Sequence, residues 1–406
     1  MNQARTSIIL IGLLSAFSLV TFDLYQPSLP YITNYFATTH SLSQFTLSIY
    51  LITFGFTQLF WGPLIDHFGR RRLLPISLLL ALAGSLLCAF APHISILILG
   101  RAIQGVALSC AQIVSYSTSR DFEDPLQRAK VLSYVSMIVS ASPILAPVLG
   151  SVVFTYLGWQ ANFILMAIIA LILILQCKKG LFESPFWHAP NTPFKMKKVL
   201  GAYRELLGIS GLWHSSMIMM FSFAAVMITV INSSYLIIDI LGFSALSYGI
   251  IFMINGLNII VGNYLGIWLR ERFSMINTIY LGNWFIIGGG LAMLITSKLY
   301  GFSLVSLSFS LICNWGISIS APPTMSLVLS DFKENAGLAS AFISTIRMFG
   351  SAAFSIVVGY LLMTNLDALP LGLIVAGAGA LHFSRQFNKW ISKSDDSEFD
   401  GKEAVA

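Results

Sequence analysis

The chain of 406 residues is 56% hydrophobic and only 10% charged, with a mean hydropathy of +0.80, whereas a soluble domain carries about a quarter charged residues. These values exclude a water-soluble globular enzyme and a disordered chain. The net charge of +6 raises nucleic acid or an anionic surface as a partner, and the placement of the charges decides between them.

A bilayer crossing takes roughly 20 apolar residues to cover about 30 Å of hydrocarbon. Twelve runs meet this length: 7–32, 42–65, 73–91, 94–118, 129–155, 160–177, 212–240, 245–269, 274–296, 301–329, 336–362 and 369–390. The period-2 alternation of a membrane barrel is absent, so the runs predict helices, which satisfy their backbone polar groups internally. The first run follows Met1 to Arg5 and is too long for a secretory signal, with no small-x-small cleavage site. Of the 23 Lys and Arg residues, 20 lie at the N-terminus, in or beside every second connection, or toward the C-terminus; only Lys298 falls in the opposite set, and Arg101 and Arg347 lie within runs. Both termini are therefore expected in the cytoplasm. The positive charge reads as a topology signal, and no nucleic-acid partner is expected.

These runs predict an N-terminal six-helix half over 1–177, a basic cytoplasmic linker over 178–211, a C-terminal six-helix half over 212–390 and a disordered tail over 391–406. Within the linker, Phe194 to Leu207 can form a basic amphipathic helix lying on an anionic inner leaflet, a solvated linker being the alternative. The halves echo each other weakly, since Gly62 and Gly266 each precede a charged turn. Two duplicated six-helix halves are the architecture of alternating-access transporters, with substrate bound midway.

An ionisable side chain inside a span is a functional hypothesis by default. Asp23 is the one carboxylate well inside a run, in Thr21-Phe-Asp23-Leu-Tyr25-Gln26-Pro27-Ser-Leu-Pro30. The prolines interrupt the helix ladder and free carbonyls there. This carboxyl can bind and release a proton, or it can be locked in a permanent pair with a basic side chain. Arg101 and Arg347 are the cations able to answer it; an arginine stays charged, so it must find an anion, carbonyls or water. Arg101 and Gln104 lie three apart on one helix face and predict a shared polar site. For Arg347, a substrate or coupling role competes with a structural pair or snorkelling.

The turn after the second run carries Gly62, for close helix packing, and Gly69, for a tight turn with positive φ. Asp66 with Arg70, Arg71 and Arg72 makes a charge cluster that Arg120 and Asp121 can meet. Such a cluster, made and broken between bundles, is a latch; plain positive-inside anchoring accounts for Arg72 equally well. Pro143 and Pro147, four apart and followed by Gly150, predict a bent helix packed closely on a neighbour. Tyr50, Tyr116, Asn232, Tyr235, Asn258 and Asn314, with Tyr25 and Gln26, are candidate cavity residues, although each alone is as readily an interhelical hydrogen bond. Cys88, Cys110, Cys177 and Cys313 sit singly in apolar runs and read as small buried hydrophobes. The six histidines are scattered and no G-x-x-x-x-G-K-[ST] loop is present, so neither a polytopic enzyme, nor a metal site, nor direct ATP drive is expected.

These residues resemble the major facilitator superfamily, and within it the twelve-helix drug:proton antiporters of the bicyclomycin-resistance (Bcr/CflA-like) group. Gly62 to Leu74 matches the loop signature G-x-L-x-D-x-x-G-R-R/K-x-x-L, Arg101 to Gly105 looks like R-x-x-Q-G, and Asp23 with Pro27 and Pro30 looks like D-x-x-x-P-x-x-P. Ser142 to Gly150 is similar to the antiporter motif of span 5, and Ala336 to Ala341 to the start of span 11. The resemblance covers residues 5 to 390. It implies proton-driven alternating access, with Asp23 and Arg101 as coupling groups and Asp66, Arg70 and Asp121 stabilising the outward-facing state. The chain departs from the pattern at Ala146 and Ser151 in the antiporter motif, at Ser15, where some related multidrug exporters carry a second carboxylate, and at Arg347, where an uncharged polar residue such as Gln is expected.

The expectation is an all-α inner-membrane protein that exports a small organic molecule in exchange for protons. It would use no cofactor beyond the proton gradient, and its partners would be substrate, protons and lipid; it is expected to be a monomer. A fixed charge at Arg347 motivates an alternative cargo, an anionic metabolite such as a polycarboxylate siderophore, moved in either direction.

Overall fold

The computed structural model of the protein describes residues 2–118, 121, 125–184, 187, 188, 190, 193–330, 332 and 336–403. Within these residues twelve helical spans are long and apolar enough to cross a membrane. The first, Ile9–Tyr35, is broken as its prolines require. Helix α1 (Asn2–Asp23) stops, a 3-10 turn (Gln26–Ser28) follows, and α2 (Leu29–Tyr35) completes the crossing. Pro27 and Pro30 have no N–H to offer the carbonyls four residues back; the Leu29 N–H takes up the Gln26 carbonyl instead.

Helices α3 (His40–Phe68), α4 (Arg70–Ala89), α5 (Ile94–Thr118), α6 (Pro125–Leu157) and α7 (Trp159–Gly180) complete the first six spans. The Thr39 side chain caps α3 by accepting from the Leu42 N–H. At its other end α3 stops on Gly69, whose φ of +81° is strained for any side-chain-bearing residue. The linker contains the expected helix, α8 (Met196–Leu207). Tyr203 and Leu206 are its buried side, Met196, Leu200 and Leu207 are exposed, and by helical register Lys197 and Arg204 lie beside that exposed apolar stripe. Burial pushes the Tyr203 phenol up to about 12, so it stays neutral.

The second set begins with α9 (Ser210–Ser234), which runs on through a π-helical turn (Tyr235–Ile240), and continues with α10 (Ala245–Arg272) and α11 (Met275–Tyr300). Two pieces, α12 (Leu304–Ser308) and α13 (Ser310–Ser330), share one span, and α14 (Ala336–Leu362) and α15 (Ala368–Glu403) close the chain. Helix α15 continues across the stretch expected as a disordered tail; no proline interrupts it after Pro370.

The chain forms two compact units. One comprises residues 1–194 with 230–257 and 355–363; the other comprises 195–229, 258–354 and 364–406. The first therefore takes the end of α9, the start of α10 and the end of α14. Inside it α5 packs on α3 and α4, α7 on α4, and α1 on α5, α6 and α7; inside the second, α11 packs on α13 and α15. Each unit repeats one small-residue contact. A methyl group on Gly84 of α4 would press on the Gly100 carbonyl of α5, and one on Gly282 of α11 would press on the Gly316 carbonyl of α13. These pairs join spans three and four and spans nine and ten, a physical trace of duplication. The four cysteines are buried and free, as their apolar settings predict.

Candidate functional site

The break in the first span creates the centre of the first unit. The Thr21 carbonyl lies in the last turn of α1, where the ladder stops, and Arg101 of α5 donates to it from Nη1 at 3.0 Å. The same nitrogen donates to Gln104 Oε1 at 2.7 Å, and Nε reaches the Thr46 carbonyl at 3.4 Å. The guanidinium carbon lies 4.5 Å from the centroids of both the Tyr25 and the Tyr50 rings. Arg101 is wholly buried, and cation–π contacts gain strength when desolvated, to about 2 kcal/mol or more. Both phenols are anchored in turn, Tyr25 to Thr46 Oγ1 at 2.8 Å and Tyr50 to the Ser18 carbonyl at 2.7 Å. Gln104 donates onward to Ser85 Oγ at 2.7 Å. Arg101, Gln104, Tyr25 and Tyr50 are thus one packed assembly.

Asp23, only 6% exposed, ends α1 beside this assembly. It accepts from Gln26 Nε2 at 2.8 Å. The ion pairs among the described residues are His40–Asp239, Arg70–Asp121 and Lys298–Asp367; the Asp23 carboxyl is in none of them. Gln26 uses the other end of its amide as well, its Oε1 accepting from the Tyr248 hydroxyl of α10 at 2.8 Å. That hydroxyl also lies 2.9 Å from Ser233 Oγ of α9. Helix α6 lies against the break: a methyl group on Gly150 would overlap the Leu24 carbonyl oxygen. Pro143 and Pro147 lie inside α6 one turn apart, and Pro147 is close enough to α10 that a side chain on Gly249 would meet its carbonyl at 3.1 Å.

The charged turn between α3 and α4 is tied down by the first residues after α7. Glu183 accepts the Arg70 N–H at Oε1 and the Arg71 N–H at Oε2, each at 3.0 Å. These are N-terminal amides of α4 that no helical carbonyl can satisfy. The Arg70 side chain pairs with Asp121 and donates to Thr118 Oγ1 at 2.9 Å and to the Phe182 carbonyl at 2.8 Å. Trp187 Nε1 donates to the Asp66 carbonyl at 2.8 Å. Arg120 lies outside the described residues. Gly62 requires a correction: it was expected to allow close helix packing, yet a methyl group there meets nothing within 4 Å. Its counterpart Gly266 does pack closely, against the Ser318 carbonyl, so the two echoing turns use their glycines differently.

Of the remaining expected residues, Asn232 and Tyr235 belong to the first unit. Asn232 is wholly buried, and the Tyr235 ring lies 4.5 Å from His40. Tyr116 is 44% exposed. Asn258, Asn314 and Arg347 belong to the second unit. Asn258 is built into its packing, donating to the Leu311 carbonyl and accepting from Trp315 Nε1, both at 2.8 Å, and Asn314 is buried. The Arg347 guanidinium lies 5.1 Å from the centre of the Phe223 ring. Sequence reasoning passed over Glu183, Trp187 and Tyr248. A carboxylate just after the sixth span was the available signal for Glu183; Tyr248 carried none, being one aromatic in an apolar run.

Comparison with known proteins agrees with this architecture. The model of the Major Facilitator Superfamily matches residues 11–355. The multidrug resistance protein MdtL of Shewanella oneidensis is 27% identical over 378 residues, covering 91% of this chain and 93% of that protein. An uncharacterized MFS-type transporter of Bacillus subtilis, YdgK, is 28% identical over 399 residues, with 92% and 93% covered. The crystal structure of a D-xylose-proton symporter superposes with a TM-score of 0.74 at 15% identity, covering 94% of this chain and 98% of that one, a likeness of fold. Twelve apolar helical spans and a family match over most of the length make one conclusion: this chain is a multi-pass membrane transporter and belongs to the Major Facilitator Superfamily.

Proposed function

We propose that this transporter exports a small organic molecule or drug across the bacterial inner membrane in exchange for protons, as a member of the Bcr/CflA-like antiporter group with both termini in the cytoplasm. The observation that carries the reading is Asp23: a buried carboxyl at the break of the first span, held by a neutral amide and outside every ion pair among the described residues. A carboxyl locked to a cation would have no reason to exchange its proton; one held by an amide can be satisfied in either protonation state. The multidrug-resistance names of the relatives support a drug-like cargo. Arg101 serves as the fixed charge that organises the break, and the Asp66, Gly69, Arg70, Arg71 and Asp121 turn acts as the cytoplasmic latch.

Proteoliposomes enclosing a pH dye test this. Addition of a cationic drug from a panel should release protons in wild type, and Asp23→Asn should insert normally yet lose the signal. An unaltered pH response in Asp23→Asn, or a response only to polycarboxylates, refutes the reading.

A further inference from the structure

One hydrogen bond inside the first unit joins residues 222 positions apart, Tyr248 donating to Gln26. Asp23, Gln26, Tyr248 and Ser233 form one chain of contacts at 2.8, 2.8 and 2.9 Å. Gln26 and Tyr248 are wholly buried and Ser233 is 2% exposed, so no bulk water can substitute for a missing partner. The α10 backbone at this level is held close to α6 through Gly249, and the Tyr248 ring lies 5.3 Å from that of Phe252. The ring is therefore held by a stack within α10 and by the close approach of α6 to the α10 backbone.

We propose that Tyr248 is a positioning residue for proton coupling: through the Gln26 amide, it ties the start of α10 and the end of α9 to the protonation state of Asp23. The proposal rests on the reading of Asp23 as the proton site. Its logic is the asymmetry of an amide. An ionised carboxylate only accepts, so Gln26 must turn its NH2 toward Asp23 and its oxygen toward Tyr248, which must donate. A protonated carboxyl can donate, so the amide can turn over, its oxygen accepting from Asp23 and its NH2 facing the Tyr248 oxygen. The phenol proton then swings to Ser233 Oγ, whose own proton has an acceptor in the Val230 carbonyl at 2.7 Å. Each link of the chain has a donor facing an acceptor in both states, and only Asp23 gains or loses a proton. The reorientation ends at Ser233, two residues before the π-helical turn that starts at Tyr235, where the α9 ladder changes register.

The groups facing Asp23 allow such a signal to be read. Arg101 on α5 is the charged neighbour. Its two phenol partners, Tyr25 at the break of the first span and Tyr50 on α3, are already engaged with Thr46 Oγ1 and the Ser18 carbonyl. The described ionisable side chains of α6, Tyr134 and Tyr156, are exposed, and those of α7, Cys177 and Lys178, lie at its far end.

The test needs no substrate, only protons. Infrared difference spectra of the protein in lipid, recorded against pH, should contain a carboxyl band that Asp23→Asn removes, accompanied by a tyrosine C–O(H) change that Tyr248→Phe removes. A net hydrogen bond of about 1 kcal/mol converts to a midpoint shift of about 0.7 pH unit. Tyr248→Phe should move the carboxyl midpoint by about that amount, and it should move it no further in a Gln26→Leu background, where the chain between Tyr248 and Asp23 is already cut. If Tyr248→Phe does not fold, Ser233→Ala keeps the phenol, removes its last acceptor, and must alter the same tyrosine band. A carboxyl band that Asp23→Asn removes while its midpoint and the tyrosine band ignore the Tyr248 and Ser233 changes overturns this inference alone. Absence of any band assignable to Asp23 overturns the proton-site reading, and the inference with it.

Discussion

The Glu183 carboxylate performs on α4 what an N-cap side chain performs on a soluble helix, but from 113 residues away. Replacing it by Gln leaves one accepting oxygen where two backbone amides need one each, and removes the negative charge from the positive end of the helix dipole. A hydrogen bond to a charged group contributes about 1.5–3 kcal/mol, against about 0.5–1.5 for a neutral one. Glu183→Gln loses one charged bond and weakens the other. Since Glu183 is half-exposed, solvent screening keeps the local cost to about 2–3 kcal/mol. At about 1.4 kcal/mol per tenfold, that is a roughly 30- to 150-fold loss of protection. The assay is amide hydrogen exchange by mass spectrometry on the 69–74 segment in detergent or nanodiscs, with the α5 peptide as internal reference. The first-turn amides of α4 should exchange faster by that factor while the α5 core is unchanged. Less than a threefold change would mean that water or another side chain already serves these amides, and that the linker does not hold the latch.

Further tests follow from the same contacts. Gly150→Ala should lower thermal stability by about 1–3 kcal/mol, because the added methyl overlaps the Leu24 carbonyl oxygen, whereas Gly62→Ala should be neutral or slightly stabilising in the same melt, there being open space around it. Arg101→Lys keeps the charge but cannot lie between two rings while bonding two carbonyls and an amide; it should lower the melting temperature and slow proton-coupled export, and wild-type values for both would contradict the assembly described. Trp187→Phe removes the bond to the Asp66 carbonyl and should cost about 1 kcal/mol of local protection at the end of α3, read by the same exchange experiment.

Much of the fold is legible in the chain because its causes are local. Spans follow from the length of apolar runs, and the stop at Asp23 follows from prolines that lack an N–H. The turn at Gly69 follows from a backbone conformation that side chains disfavour. Arg101 and Gln104 were predicted to share a site from their spacing of three, and they bond at 2.7 Å. Other features depend on which helix faces meet, which hydropathy does not encode. Gly62 and Gly150 are alike as letters, yet one faces open space and the other the Leu24 backbone. Tyr248 gains its meaning only because α10 brings it to Gln26, and Glu183 only because the chain after α7 returns to Arg70. Composition and periodicity determine that a segment crosses the membrane and where it must break. The partner of each buried polar atom is chosen by long-range packing, since desolvation leaves such an atom no alternative to the neighbour the fold supplies.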